Sequence, residues 1–378
     1  MIYFDNAATT LMKPPEVAQA VTYAIGHFGG VGRGVHEASI AAGLAVFEAR
    51  EKIAQLFNVP SAKNVAFTLN ATEAINMVVS GLLQPGDHGI TTAASHNSVL
   101  RPLYRKGDEG CELSILGVSP EGKIDYDELE ALFKPNTRLV LVTHGANLTG
   151  DVYDIARIAS LCHEKGAVCA VDVAQTAGHI PIDMEASGVD ILAFTGHKSL
   201  FGPQGTGGLC LNEGVEVPAL MVGGSGTQSY SHDHPAQMPE RLEAGTLNSH
   251  GIAGLSAGLD YIQRIGIDMI AAKTDALVKR FEAGVGTIDG LRIYGRQDGS
   301  PGCGIVALNI AERDSALVSG ELSTDYGICT RAGAHCAPLM HEALGTVEQG
   351  AVRFSFSLFN TEKEIDAGVE ALRAIAQG

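Results

Sequence analysis

A lysine, Lys198, lies in the stretch TGHKSLFGPQGTGG, directly after a histidine and before a glycine-rich loop. The residues before it, 190–194, are mostly apolar and have the pattern of a buried strand. An amine at the end of such a strand costs free energy unless it is paired or used. One use is an imine with a carbonyl group. The alternative, a lysine whose ammonium reaches solvent, fits poorly beside a glycine-rich turn.

Other polar residues follow the ends of neighbouring apolar runs. In an open parallel sheet, the site lies beyond the carboxyl ends of the strands, so these groups are expected to meet at one edge. Amide, acid, imidazole and amine groups are all represented. They occur at residues 70–73, 95–97, 144–147, Asp172 with Gln175, and Thr195 to Lys198.

Each of these residues, taken alone, has an ordinary structural explanation as well. Ala71 and Thr72 open a helix, which suits either a phosphate or a plain N-cap. Asp172 ends an apolar strand and needs a cation, which could come from a ligand or from a structural ion pair. His96 offers a flat ring for stacking, or is a satisfied loop residue. Taken together, the groups suit pyridoxal phosphate. Its aldehyde would react with Lys198, its pyridine nitrogen would contact Asp172, and its phosphate would contact Thr72. Its ring face would lie against His96, and its phenolic oxygen would contact Gln175.

The elements that must position these groups alternate along the chain. Residues 137–147, 167–175 and 190–198 contain near-continuous apolar strands, the pattern of a parallel sheet covered on both faces. Helical patterns such as 151–166 lie between them. The alternation predicts an α/β fold with a mainly parallel sheet and right-handed crossovers.

From about Ile252 the pattern changes to two consecutive helices, several short strands and a final helix. We therefore predict a large domain over residues 1–252 and a smaller α+β domain over residues 253–378. The first 14 or so residues are expected to pack with the smaller domain. Residues 223–248 have the composition of a connecting loop.

Composition and charge exclude several classes of partner and indicate where the protein is located. The 378 residues carry a formal net charge of −17 without a long basic run, which argues against nucleic acid and anionic membranes as partners. The N-terminus has no signal-peptide pattern and no segment is apolar enough to span a bilayer. Seven scattered cysteines without a Cys-x-x-Cys pair indicate free thiols, so we expect the cytoplasm. The run His232, Asp233, His234 could suggest a metal, but a solvated loop is favoured and no metal is predicted.

The motifs, taken together, resemble one family. The stretches that carry the resemblance are YFDNAATT, VDVAQ, FTGHKSLFGPQGTGGL, RLEAGTLN and RAGAHCAPLMHEALG. In this order they resemble the class V aminotransferases of fold type I, and within them the cysteine desulfurase and selenocysteine lyase group. The likeness covers nearly the whole chain, and the large domain would bind pyridoxal 5′-phosphate.

The resemblance implies a role for each matching residue. Lys198 would form the Schiff base, Asp172 would keep the pyridine nitrogen protonated, and Gln175 would bind the ring oxygen. His96 would stack on the ring and belong to the catalytic set with Lys198 and Cys336. The cofactor phosphate would be held by Ala71, Thr72, Thr195, His197 and, from the second subunit of a homodimer, Thr246. The substrate would be bound by Asn147, Arg331 and Arg353.

Cys336 decides the reaction that the resemblance implies. It has His335 beside it and Arg331 nearby, and cationic neighbours raise the thiolate fraction of a cysteine. A desulfurase would convert L-cysteine to L-alanine and take the sulfur as a persulfide on Cys336, for transfer to an acceptor protein or a reductant. The alternatives are a selenocysteine lyase, another C–S lyase or aminotransferase-like enzyme in which Cys336 is a bystander, and a non-enzymatic scaffold for sulfur relay. Ser95 and Ala332 depart from many relatives and leave the natural substrate open.

Overall fold

The structure of the protein is a computed structural model that describes residues 1–32, 34–296, 299–300 and 302–377. The strands are β1 (Ile2–Tyr3), β2 (Val65–Thr68), β3 (His88–Thr92), β4 (Glu112–Leu116), β5 (Thr137–Thr143), β6 (Val168–Asp172), β7 (Ile191–Thr195), β8 (Gly207–Leu211), β9 (Leu291–Tyr294), β10 (Ile305–Ile310), β11 (Ile328–Cys329) and β12 (Val352–Ser355). The helices are α1 (Pro15–His27), α2 (Glu37–Phe57), α3 (Ala71–Leu82), α4 (Asn97–Asp108), α5 (Tyr126–Ala131), α6 (Ile155–Glu164), α7 (Met184–Ser187), α8 (Ser249–Ile265), α9 (Ile267–Val285), α10 (Ser315–Tyr326), α11 (Pro338–Leu344) and α12 (Glu362–Gln377).

In the described part of the chain, seven strands form the main sheet in the order β2-β8-β7-β6-β5-β3-β4. Strand β8 is antiparallel to both of its neighbours, and the other pairs are parallel. The predicted α/β fold with a mainly parallel sheet is therefore confirmed. The central strands β6 and β7 are buried along nearly their whole length, which explains their continuous apolar sequence.

Strand β8 was not predicted, because its sequence begins with two glycines and resembles a continuation of the loop after Lys198. The packing explains these glycines. A Cβ on Gly207 would lie 2.6 Å from the Cα of Asn70, and one on Gly208 would lie 2.5 Å from the carbonyl oxygen of Ala66. Glycine lets β8 approach the backbone around β2 more closely than a side chain would permit.

A second, smaller sheet of β12, β10 and β9 is antiparallel, and β1 pairs with β11 in parallel. Phe4 at the N-terminus is fully buried in the core beside this sheet, where its ring contacts Phe354 and Phe356. The N-terminal segment thus packs against C-terminal elements. Residues of α8 such as Ile252 and Leu255 belong to the core of the larger sheet. The domain division at residues 252 and 253 stays a prediction.

Candidate active site

The predicted site residues gather around one cavity of about 210 Å³ at the carboxyl ends of β5, β6 and β7. Its lining includes eleven of the residues named from the sequence. They are Ala71, Thr72, His96, Asn147, Asp172, Gln175, Thr195, His197, Lys198, Arg331 and Arg353. Cys336 and Thr246 are not among the lining residues, although His335 is. The expectation that the strand ends converge is therefore confirmed for nine of these positions, and Arg331 and Arg353, which the resemblance assigned to substrate binding, line the same cavity.

Lys198 follows β7 and is half-buried. Within the described ranges its Nζ makes no hydrogen bond and no ion pair. Burial lowers the pKa of Lys198, Asp172 opposes the shift, and Arg353 and Arg331 add to it, which together leave the pKa at about 8. A lysine in this state carries a useful fraction of free amine near neutral pH, which is the form that attacks a carbonyl carbon.

Asp172 ends β6 and is buried, with an exposed fraction of 4%. Its Oδ1 accepts a hydrogen bond from the main-chain N–H of Ala174 at 2.9 Å. Burial raises the pKa of Asp172, and Ala174, Lys198 and Ser98 oppose that shift. No described residue forms an ion pair with the carboxylate at salt-bridge distance. A protonated ring nitrogen would supply the missing cation.

His96 caps the start of α4. Its Nδ1 lies 3.0 Å from the main-chain N of Ser98, which must donate, so Nδ1 is the unprotonated nitrogen. Burial, together with the nearby cations Lys198, Arg331 and Arg353, lowers the pKa of His96 to about 4. The ring is therefore neutral at physiological pH, as a stacking partner for an aromatic cofactor would be.

One end of the cavity offers donors to an anion. Within the described residues, the main-chain N–H groups of Ala71 and Thr72 in the first turn of α3 have no partners, since the Asn70 side chain accepts only from the N–H of Glu73. The hydroxyl of Thr195 is buried and has no partner in the part of the chain that the structure describes. His197 holds its Nδ1 3.0 Å from the hydroxyl of Thr9, which leaves Nε2 without a partner in the described residues. Free N–H groups at a helix start bind phosphate well.

The opposite end holds the cations. Arg353 is almost completely buried, with an exposed fraction of 1%. Its Nη1 donates to the carbonyl oxygen of Asn147 at 2.8 Å, its Nη2 donates to Asp5 at 3.0 Å, and its Nε has no partner. The guanidinium of Arg331 has no hydrogen bond or ion pair within the described residues. Asn147 also keeps its Oδ1 free. The N–H groups of the two arginines can receive a carboxylate, whereas the Asn147 oxygen accepts a hydrogen bond and suits an amine.

Cys336 lies on a strained turn beside the cavity. His335 and Cys336 both have left-handed backbone conformations, with φ of 50° and 56°, which cost of order 1–3 kcal/mol for each residue. The Asn147 side chain donates to the carbonyl oxygen of His335 at 2.7 Å, and the main-chain N–H of Asn97 donates to that of Cys336 at 2.8 Å. Asn147, which lines the cavity, and Asn97 therefore hold the carbonyl groups of these two residues in place.

The prediction that His335 provides a positive charge for Cys336 is wrong. His335 is buried, with an exposed fraction of 4%, and burial lowers its pKa to about 3. Its Nε2 lies 3.2 Å from the carbonyl oxygen of Arg331 and must donate to it, so Nδ1 is an unpartnered acceptor. Arg331 and Arg353 remain as the cations near the thiol.

Thr246 lies away from the cavity in the same chain. It is exposed and lines a separate groove with α2 residues such as Phe47 and Arg50. Its predicted role toward a neighbouring subunit's phosphate stays a prediction.

The described ranges contain no group of three or more side chains placed to hold a metal ion. In the run that could have suggested a metal, the Nε2 of His234 lies 3.0 Å from the carbonyl oxygen of Glu240.

Several lining residues were missed by the sequence analysis, notably Ala7, Ala8, Thr143 and Ser98. Ser98 follows His96 by two residues at a helix start, a spacing that could have signalled a capping contact. Ala7 and Ala8 lie at the site because the N-terminal segment contacts residues that are distant in sequence. Gln175, for example, donates to the carbonyl oxygen of Ala7 at 3.2 Å. No local sequence signal reports such a contact.

Comparisons with known proteins agree with this geometry. The family model described as Aminotransferase class-V matches residues 2–367. The chain belongs to the class V aminotransferase family. A protein from Methanothermobacter thermautotrophicus named "Probable cysteine desulfurase" is 36% identical, over 99% of this chain and 94% of its own length. A Shigella sonnei protein named "Cysteine desulfurase" is 34% identical, over 99% of this chain and 93% of its own length.

Solved structures show the same fold. An apo cysteine desulfurase from Thermococcus onnurineus superposes with a TM-score of 0.93 at 32% identity, covering 100% of this chain and 95% of that one. An Escherichia coli cysteine desulfurase, described as the S-sulfonic acid form, has a TM-score of 0.89 at 32% identity and covers 99% and 94% of the two chains. The fold type I class predicted from the motifs is thus confirmed.

Members of this family use pyridoxal phosphate, and the cavity fits that group. Its free donors at Ala71, Thr72 and Thr195 match a phosphate, while the unpaired carboxylate of Asp172 matches a ring nitrogen cation. The amine of Lys198 is free to bind an aldehyde. Unsatisfied buried polar groups are uncommon in a folded protein, so a cluster of them with matching chemistry indicates a ligand.

Proposed function

We propose that the protein is a pyridoxal-phosphate-dependent cysteine desulfurase that converts L-cysteine to L-alanine and receives the sulfur on Cys336. The observation that carries the proposal is the placement of Lys198, Asp172 and Arg353 around one cavity, with Cys336 next to the lining residue His335. The relatives described above carry the name cysteine desulfurase, which favours this activity over selenocysteine lyase, another C–S lyase or a scaffold.

Binding of substrate is assigned to the cationic end of the cavity. Arg353 keeps its Nε unpartnered, and Arg331 keeps its whole guanidinium free in the described part of the chain. A substrate carboxylate would therefore meet two cations, and the free Oδ1 of Asn147 would accept a hydrogen bond from the substrate amine. This places the substrate with its amine toward Lys198.

Proton transfer is assigned to Lys198. Its pKa of about 8 lets Nζ hold or release a proton near neutral pH, so it can take the proton from Cα of the substrate. The cofactor, when bound, supplies an electron sink for the pair left at that carbon. Asp172 would bind the ring nitrogen of the cofactor, and the neutral ring of His96 would cover a face of the cofactor ring.

Sulfur transfer is assigned to Cys336. Its thiolate attacks the substrate sulfur, a new S–S bond forms, and the C–S bond breaks with its electron pair remaining on the carbon side. The product is a persulfide on Cys336, and protons returned to the carbon skeleton complete alanine. A thiol reductant or an acceptor protein would then remove the sulfur.

We also propose a homodimer with shared sites. On α2, Ile40, Leu44 and Phe47 are each about half exposed and lie at helical spacing on one face, which favours contact with an apolar partner surface. This face borders the groove that contains Thr246. A second copy of the chain would cover the face and bring Thr246 toward the partner's phosphate site.

The location proposed is the cytoplasm, and the seven unpaired cysteines support a reducing compartment. The partners proposed are L-cysteine and a sulfur acceptor, with neither nucleic acid nor membrane. None of the helices in the described ranges has the length and apolar character needed to cross a bilayer.

The deciding experiment is a panel of amino acids supplied to the cofactor-loaded protein, with all products identified. L-Cysteine with a thiol reductant is expected to give equal amounts of alanine and sulfide, and without reductant a persulfide on the protein. Lys198→Ala protein serves as the control. Pyruvate and ammonia from cysteine would show C–S lyase chemistry instead, and the absence of any product would favour the scaffold.

A further inference from the structure

The N-terminal segment, residues 2–10, connects parts of the site that are distant in sequence. Strand β1 pairs with β11, and Asp5 forms a bridge with Ser355 at the end of β12. The main-chain N–H of Ala7 donates to the hydroxyl of Ser355 at 2.9 Å, and Gln175 donates to the carbonyl oxygen of Ala7. The segment thus connects strand β12, which carries Arg353, with Gln175, the residue expected to bind the ring oxygen of the cofactor.

Asp5 contacts Arg353 directly from this segment. Its Oδ1 accepts a hydrogen bond from Nη2 of Arg353 at 3.0 Å. The arginine side chain is 1% exposed and the aspartate side chain 21% exposed, and Asp5 is the only ion-pair partner of Arg353 among the described residues. Burial lowers the pKa of Arg353, and the charge and hydrogen bond of Asp5 are the largest opposing influences.

Asp5 is itself held in a fixed position. The side chain of Asn6 donates to the carbonyl oxygen of Ser355 at 2.9 Å, and the hydroxyl of Tyr3 lies 3.2 Å from the carbonyl oxygen of Asp5. The carboxylate therefore approaches the guanidinium from a backbone that is anchored on both sides. A guanidinium is planar and binds a carboxylate through two parallel hydrogen bonds only in the right orientation. The protein groups that already bind the guanidinium therefore determine in which orientation it can bind a substrate carboxylate.

We propose that Asp5 is a positioning residue for substrate binding: it holds one arm of the Arg353 guanidinium while the carbonyl oxygen of Asn147 holds the other. The remaining N–H groups, including the unpartnered Nε, are then presented to the substrate carboxylate in one orientation. The inference rests on the proposed function only in taking Arg353 as the carboxylate-binding residue. Asp5 is not itself among the residues that line the cavity, and it reaches the site through its contact with Arg353.

Asp5→Asn tests this role, because it keeps the size of the side chain and removes the charge. The cofactor-loaded protein is titrated with L-alanine and with ethylamine, which differ only in the carboxylate, and binding is read from the visible spectrum. Asp5→Asn is expected to weaken L-alanine binding about tenfold and to leave ethylamine binding within about twofold. With cysteine, KM is expected to rise by a similar factor while kcat changes little.

A matched control is Glu16→Gln, which removes the acid of an exposed ion pair with Arg264 elsewhere in the N-terminal region. It is expected to leave both titrations unchanged. In a double-mutant cycle, Asp5→Asn is expected to add no further loss of L-alanine affinity to Arg353→Ala. If Asp5→Asn does not fold, Asp5→Glu is used, and it is expected to retain most of the affinity because it keeps the charge.

Equal weakening of L-alanine and ethylamine would show a merely structural role and overturn the proposal, as would unchanged or tighter L-alanine binding in Asp5→Asn. The titration also separates this inference from the proposed function. If the wild-type protein releases no sulfur from cysteine but Asp5→Asn selectively weakens L-alanine binding, the desulfurase proposal fails and the role of Asp5 stands.

Discussion

Asp172 ends strand β6, Lys198 follows the adjacent strand β7, and the carboxylate of Asp172 raises the pKa of the lysine amine against the effect of burial. Burial is the stronger influence, so the pKa of Lys198 falls to about 8 from its ordinary 10.5. The shift has an energetic consequence. In the protein without cofactor, a protonated Lys198 is less well accommodated in the folded state than in the unfolded chain.

The first prediction is that Lys198→Met stabilises the cofactor-free protein. A lowered pKa means that the unfolded state binds more protons between about pH 8 and pH 10.5, so the lysine lowers stability progressively as the pH falls through this range. Lys198→Met is expected to raise the free energy of unfolding by roughly 3 kcal/mol at pH 7 and by roughly 1 kcal/mol near pH 9.5. Urea unfolding at the two pH values measures the difference.

Lys165→Met is the control, because Lys165 forms an exposed ion pair with Glu130. It is expected to change stability by less than about 1 kcal/mol at both pH values. A Lys198→Met protein that is less stable than the wild type at pH 7 would contradict the argument.

The second prediction concerns a buried ion pair that supports the segment before α8. Arg50 donates to both oxygens of Glu243 at 2.7 and 3.0 Å, and Glu243 also accepts from the main-chain N–H of Phe67. Both side chains are less than a tenth exposed. Glu243→Gln leaves Arg50 as an uncompensated buried charge and is expected to cost about 3–5 kcal/mol of unfolding free energy.

Urea unfolding of the cofactor-free protein again provides the measurement. Glu109→Gln removes the acid of an exposed pair with Arg105 and should cost less than about 1 kcal/mol. The interpretation would be wrong if the two substitutions had equal effects.

The strands around Lys198 could be predicted from the sequence because buried parallel strands are continuously apolar and their ends share one edge. The same reasoning placed Asp172 and Thr195 correctly. It could not find Asp5, Ala7 or Ala8, because their place in the site depends on pairing between residues over 300 positions apart. The neutral state of the His335 ring could not be predicted from the sequence either. It depends on burial of the ring, which a turn-like, glycine-rich sequence does not indicate.

The third prediction tests the shared site. If Thr246 serves the neighbouring subunit, mixed dimers of inactive Lys198→Ala and inactive Thr246→Ala chains contain one site with both residues intact. Activity is expected to recover toward about a quarter of the wild-type value for random exchange, and exchange is verified with differently tagged chains. Exchange without recovery would place Thr246 outside the site.

The last prediction separates desulfurase from other lyase chemistry. Cys336→Ser keeps the shape of the strained turn but replaces the thiol by a hydroxyl that is scarcely ionised at neutral pH. Cofactor colour and the binding of L-alanine are expected to persist, because those steps use Lys198, Asp172 and Arg353. Persulfide on the protein and alanine from cysteine should fall by about a hundredfold or more, since the sulfur has lost its acceptor.

The matched control is Cys329→Ser, which alters the other partly exposed cysteine in the described residues and should leave both products unchanged. Selenocysteine turnover is expected to survive in part in Cys336→Ser, because selenium leaves more readily than sulfur. Alanine formed from cysteine at the wild-type rate by Cys336→Ser would rule out the persulfide step. In that case the free amine of Lys198 and the cations Arg331 and Arg353 would still support a C–S lyase, because none of their contacts depends on the thiol.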